Sequence, residues 1–171
     1  MALDPFMPVL VVDDHGATTH IIRTLLRQVG FVDVDDAING ADALAKMRVK
    51  RYGLVISEWY LEPMSGNELL REVRGDPGLK RIPYIVIGES NSESVIAAKK
   101  AGAHIYIVKP FDAQTLKAKI EAVLATRTAL MPERQQIVAS TQSPQMSKGS
   151  DATSTSASAQ MRFSGRFTGI S

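Results

Sequence analysis

Four ionisable positions each follow directly on a short aliphatic, largely β-branched run: Asp13 and Asp14 after residues 9–12, Glu58 after 54–57, and Lys109 after 105–108. Such runs read as buried strands, so these groups fall at strand ends. A further run, 84–87, ends at Gly88 and Glu89. Three carboxylates on one edge repel one another, and a hard divalent cation with oxygen ligands is the usual remedy. Magnesium suits the set, because it accepts one or two carboxylates and keeps its waters. Lys109 adds a point charge suited to a phosphoryl oxygen. Alone, the Asp pair would be read more simply as the cap of a following helix. With Glu58 and Lys109 at matching strand ends, a ligand site is the better account.

The elements that must position these groups follow from periodicity. Five buried strands are expected at 9–12, 32–34, 54–57, 84–87 and 105–108. Between them, Ile21, Ile22, Leu25, Leu26 and Val29 recur at helical spacing, with Gly30 as a stop. Ala43, Leu44 and Met47 mark a second helix opened by Asn39, and Leu69, Leu70 and Val73 a third entered through Pro63, Ser65 and Gly66. Val95, Ile96 and Ala98 before Gly102 predict a fourth, and Leu116, Ile120, Val123 and Leu124 after Asp112 a fifth. Strands with little alternation, separated by amphipathic helices, imply right-handed βαβ crossovers and a parallel sheet covered on both faces. The expected fold is α/β, a three-layer doubly wound sandwich. In such sheets ligands bind beyond the carboxyl ends of the strands, where the acids and Lys109 lie.

Composition excludes several classes. The chain has 171 residues and no cysteine, which rules out a disulfide framework, thiolate metal ligation and a Cys nucleophile. Apolar runs fall far short of the ~20 residues of a membrane helix, and Asp4 stands where a signal peptide wants Lys or Arg, so a cytoplasmic protein without membrane insertion is expected. Sixteen basic and sixteen acidic residues balance over 1–130, so the net charge of +2 belongs to the last 41 residues and gives no argument for DNA binding. His15, His20 and His104 lack metal-ligand spacing and read as structural or solvated. The basic run Lys46, Arg48, Lys50 and Arg51 closes the second helix, where cations favour the dipole.

Residues 7–127 resemble a response-regulator receiver domain of the two-component and chemotaxis type. The resemblance rests on Val11-Val12-Asp13-Asp14, Val55-Ile56-Ser57-Glu58-Trp59, Pro63-Met64-Ser65-Gly66, Ala101-Gly102-Ala103 and Lys109-Pro110-Phe111. It implies a flavodoxin-like five-stranded sheet of order 2-1-3-4-5, and magnesium held by Asp13, Asp14, position 58 and Tyr60. It further implies a phosphoacceptor at position 58, Lys109 on the phosphoryl group, a cis Lys109–Pro110 bond, and Tyr106 as an aromatic switch. The implied partners are a histidine kinase or a downstream signalling or motor protein, met through the face of the fourth helix, fifth strand and fifth helix. The implied role is signalling by contact rather than enzymatic turnover.

Two positions depart from the family pattern. Glu58 replaces the acceptor Asp, and Ile87 followed by Gly88 replaces the Thr or Ser at the end of the fourth strand. The extra methylene of Glu moves its carboxylate by more than about an ångström, and misplacements of that order can cost ~100-fold in a positioned reaction. Phosphorylation-independent or phosphomimetic action is therefore expected of a stand-alone receiver.

Before residue 7 stands a leader without periodicity. Residues 128–160 read as a low-complexity, disordered linker, with ten Ser or Thr among the 21 residues of 140–160. The end, 161–171, carries a tandem repeat, Arg162-Phe163-Ser164-Gly165 and Arg166-Phe167-Thr168-Gly169. Arg162, Phe163, Arg166 and Phe167 suit either a tethered docking motif or capture of a guanine nucleotide such as a cyclic dinucleotide, beside a reading in which the end has no function. The alternative to the receiver function is thus a nucleotide-responsive effector.

Overall fold

The computed structural model describes residues 3–129. Ten elements alternate along them: β1 (Val9–Val12), α1 (Gly16–Val29), β2 (Val34–Ala37), α2 (Gly40–Val49), β3 (Leu54–Glu58), α3 (Gly66–Gly75), β4 (Tyr84–Gly88), α4 (Ser92–Ala101), β5 (Ile105–Val108) and α5 (Ala113–Ala129). The five strands form one parallel sheet in the order β2-β1-β3-β4-β5. The doubly wound α/β architecture and its strand order are those expected.

Strand alternation divides the core into two layers. Leu10, Val12, Val55, Tyr84 and Val86 face a cluster with Leu44, Met47, Leu69, Leu70, Val73 and Ala98 from α2, α3 and α4. Val9, Val11, Leu54, Ile56, Ile85, Ile87 and Ile107 face Ile22, Leu26, Leu116, Ile120 and Val123 from α1 and α5. Helix ends follow local chemistry. Gly30 at φ 121° closes α1, Asn39 caps α2 by accepting from the Asp42 amide at 2.8 Å, and Ser65 with Glu68 forms a capping box on α3.

Three sequence expectations change. The second strand lies at Val34–Ala37 rather than 32–34, and Val32 is exposed. An edge strand pairs on one side only and tolerates the acidic run, because Lys50 bridges Asp33 and Asp35 at 2.9 Å each and Arg23 meets Asp36 at 2.5 Å. The edge strands β2 and β5 are only partly buried, whereas β1, β3 and β4 are buried throughout. On α4 the buried residues are Ser94 and Ala98, while Ile96 is 54% exposed. Lastly, α5 runs to Ala129, past the boundary expected at Arg127.

Candidate functional site

The sheet register brings the predicted groups to one edge. Val12 pairs with Ser57 and Glu58 with Ile87, so the residues leaving β1, β3 and β4 converge there. Gly66 secures the loop after β3: its amide donates to the Trp59 carbonyl at 2.9 Å, and an added Cβ would stand 2.6 Å from that oxygen and 2.7 Å from the Glu58 carbonyl. Only glycine lets the start of α3 come this close to the backbone that carries Glu58.

Glu58 is 6% exposed, and both of its carboxylate oxygens are hydrogen-bonded. Its Oε1 accepts from the Trp59 amide at 2.8 Å and the Tyr60 amide at 3.3 Å, while Oε2 accepts from Lys109 Nζ at 2.6 Å. Burial opposes the charge on Lys109, but the hydrogen bond and charge of Glu58, with Glu89 and Asp13 beyond, carry its ammonium above the ordinary lysine range. The second carboxylate, Glu89, lies 3.7 Å from the same Nζ. Lys109–Pro110 is cis, as is Glu62–Pro63.

Asp13 is buried at 3% exposure and Asp14 is exposed. Asp13 Oδ1 accepts from the His15 amide at 2.8 Å, and His15 Nδ1 stands 2.7 Å from Asp14 Oδ1. Burial raises the Asp13 carboxyl above its usual range; the His15 amide opposes this, and the charges of Glu58 and Asp14 add to it. A cation would relieve this strain. Asp13, Asp14 and His15 place one ligand atom each within 4.8 Å of one another, a set whose carboxylate oxygens fit magnesium. Glu58 is not in that group; its oxygens meet Lys109 and the Trp59 and Tyr60 amides, and the Tyr60 hydroxyl meets Ser94 Oγ at 2.8 Å. His15, read from sequence as structural or solvated, therefore lies within the acid cluster.

The remaining positions separate. Ile87 is 1% exposed and packs in the layer beneath α1 and α5, away from the tyrosine. Gly88 is the position that faces Tyr106: a Cβ there would overlap the Tyr106 hydroxyl and come within 3.4 Å of Trp59 Cβ. Period-two alternation along β4 accounts for the difference. The hydroxyl donates to the Glu89 carbonyl at 2.9 Å, and burial, then the neighbouring Tyr60 and Glu58, raise its pKa. Sequence reasoning missed Ser94, a polar residue on a helix face that otherwise turns inward; its i, i+4 relation to Ala98 was the available signal. A groove of about 700 Å³ opens beside the site, lined among others by Asp14, His15, Trp59, Tyr60 and Ser94. Arg162, Phe163, Arg166 and Phe167 lie outside the described residues, as do residues 130–160 of the expected linker, whose first two positions belong to α5. No helix of the described residues is long and apolar enough to cross a membrane.

Comparison with known proteins agrees with the fold. The family described as the response regulator receiver domain matches residues 9–121. The chemotaxis protein CheY of Pseudomonas aeruginosa is 38% identical over 118 residues, 68% of this chain and 95% of that protein. CheY-3 of Vibrio cholerae is 37% identical over 122 residues, 71% of this chain and 94% of that one. Among solved structures, the chemotaxis response regulator CheY4 of Vibrio cholerae matches at TM-score 0.64 and 30% identity over 69% of this chain and 98% of its own. A response regulator receiver domain protein from Clostridium thermocellum matches at TM-score 0.67 and 26% identity, over 74% and 100%.

Proposed function

The chain belongs to the response regulator receiver domain family, in its CheY-like branch of two-component signalling, and on that premise we propose that it signals by protein contact without being phosphorylated. The observation that carries this reading is the Glu58–Lys109 pair at 2.6 Å. In the family the lysine serves a phosphoryl oxygen; here a protein carboxylate already holds it. Glu58 Oε1 is likewise engaged by two amides, so the carboxylate is fixed at both oxygens in an orientation set by Lys109 and the backbone. Gly88 carries no hydroxyl to donate a hydrogen bond to a phosphoryl oxygen, and the space beside it is filled by Tyr106.

In this reading Glu58 stands in permanently for the modified acceptor. It brings one negative charge, about half that of a phosphoryl group. Asp13 and Asp14 would hold magnesium, which supplies neutralising charge beside Glu58 when bound. The output face is that of α4, β5 and α5, where Ile96 and Val108 are exposed at 54% and 41%. A histidine kinase or a downstream signalling or motor protein is the class of partner that this face would meet.

The test is incubation with magnesium and a small phosphodonor, followed by intact-mass measurement of the unaltered chain and of Glu58→Asp. The expected result is a gain of one phosphoryl group in Glu58→Asp only. Stoichiometric labelling of the unaltered chain would overturn the reading.

A further inference from the structure

Helix α4 is thinly anchored. Its buried residues are Ser94 and Ala98, against Gly66, Leu69, Leu70 and Val73 for α3. A helix that buries so little apolar surface lies at the low-stability end of a fold, and one polar contact then weighs heavily in fixing its position. Ser94, 6% exposed, meets the Tyr60 hydroxyl at 2.8 Å across the gap between α4 and the loop after β3. The Ser94 amide is already satisfied by the cap Asn91 at 3.2 Å, so the hydroxyl is the group left to reach outward. At its other end Tyr60 donates its amide to Glu58 Oε1 at 3.3 Å, beside the Trp59 amide.

We propose that Tyr60 is a positioning residue that latches α4 to the residue-58 carboxylate, its amide holding Glu58 and its hydroxyl holding Ser94. One residue thus joins the acidic site to the first turn of the helix on the output face. The route differs from one through a hydroxyl at the end of β4, which Gly88 cannot supply. Tyr60 is itself 54% exposed, so its ring contributes little to the core and its hydroxyl can be removed without opening a cavity.

Hydrogen–deuterium exchange of the full chain tests the latch without a phosphodonor or a partner, so its outcome is separate from the labelling experiment above. Tyr60→Phe and Ser94→Ala should each speed exchange in α4 by about three- to tenfold, the population change that one hydrogen bond supports, with α1 and α5 unchanged. Glu58→Ala should loosen α4 in the Tyr60 chain and have little further effect in Tyr60→Phe. Unchanged α4 exchange in both single variants, or an equal effect of Glu58→Ala in the two backgrounds, would overturn the proposal.

Discussion

Lys109 Nζ lies 2.6 Å from Glu58 Oε2, joining residues 51 apart in sequence at the carboxyl edge of the sheet. The carboxylate is buried and the ammonium side chain is 30% exposed, so the two are unequally dependent on each other. Lys109→Met leaves a buried carboxylate without its cation and should destabilise the fold by about 1 to 3 kcal/mol, less than a fully buried pair because water reaches the lysine side. Urea denaturation reads the loss directly. Adding Glu58→Gln should recover part of it, and a double variant no better than Lys109→Met would argue against the pair as the cause.

Gly88 and Gly66 predict costs of different size for the same substitution. At Gly88 the new methyl meets the far end of Tyr106, which can swing away. Gly88→Ala should therefore cost under about 1 kcal/mol while displacing the Tyr106 hydroxyl from the Glu89 carbonyl, visible as a changed Tyr106 ring environment in NMR spectra. At Gly66 the obstacles are the carbonyls of Glu58 and Trp59, which cannot move without shifting the site. Gly66→Ala should cost about 1 to 3 kcal/mol or more and perturb Trp59 fluorescence.

His104 gives stability a pH dependence. Its Nδ1 lies 3.1 Å from the Tyr84 amide, which donates to it, and 3.2 Å from Arg74 Nη2, a group that can only donate. The unprotonated nitrogen is therefore the native form, and burial, then the Arg74 charge, lower the imidazole pKa. The unfolded chain binds the proton more readily, so this contribution is full above the ordinary imidazole value of about 6.5 and is lost as pH falls below it. Melting temperature should decline from pH 7 to pH 5, and His104→Asn, whose Oδ1 can replace Nδ1 as acceptor, should flatten that slope. An identical slope in the variant would assign the effect elsewhere.

Tyr84 is fully buried, and its hydroxyl is a buried polar atom with no hydrogen-bond partner. Ser57 is near enough to bias its ionisation, yet the Ser57 hydroxyl donates to the Glu58 carbonyl at 2.9 Å. Burial holds the phenol well above its usual range. Removing an unpaired buried hydroxyl while keeping the ring relieves its desolvation, so Tyr84→Phe should stabilise the protein by about 1 kcal/mol. A loss of stability in thermal melts would show that the hydroxyl is satisfied in solution.

The sequence alone determined what depends on neighbours along the chain. Glycine stops, Asn and Ser caps, apolar runs and helical spacing are local, and from them came the ten elements, their layers and the placement of Asp13, Asp14, Glu58 and Lys109 at strand ends. The resemblance added the strand order and the cis bond at Lys109–Pro110. What depends on neighbours through space was decided only by the tertiary structure. The Val32–Val34 run reads as a strand, yet pairing with β1 selects Val34–Ala37, because an edge strand can carry Asp35 and Asp36 toward opposite faces, where Lys50 and Arg23 meet them. Ile96 reads as core, yet α4 docks on Ser94 and Ala98, since small side chains let it approach the sheet beside Tyr106. Glu58 reads as a metal ligand, and its engagement by Lys109 and two amides is set by distances that no spacing encodes. Tyr60 and Ser94, 34 residues apart, carry no shared motif, and the sheet alone brings them within a hydrogen bond.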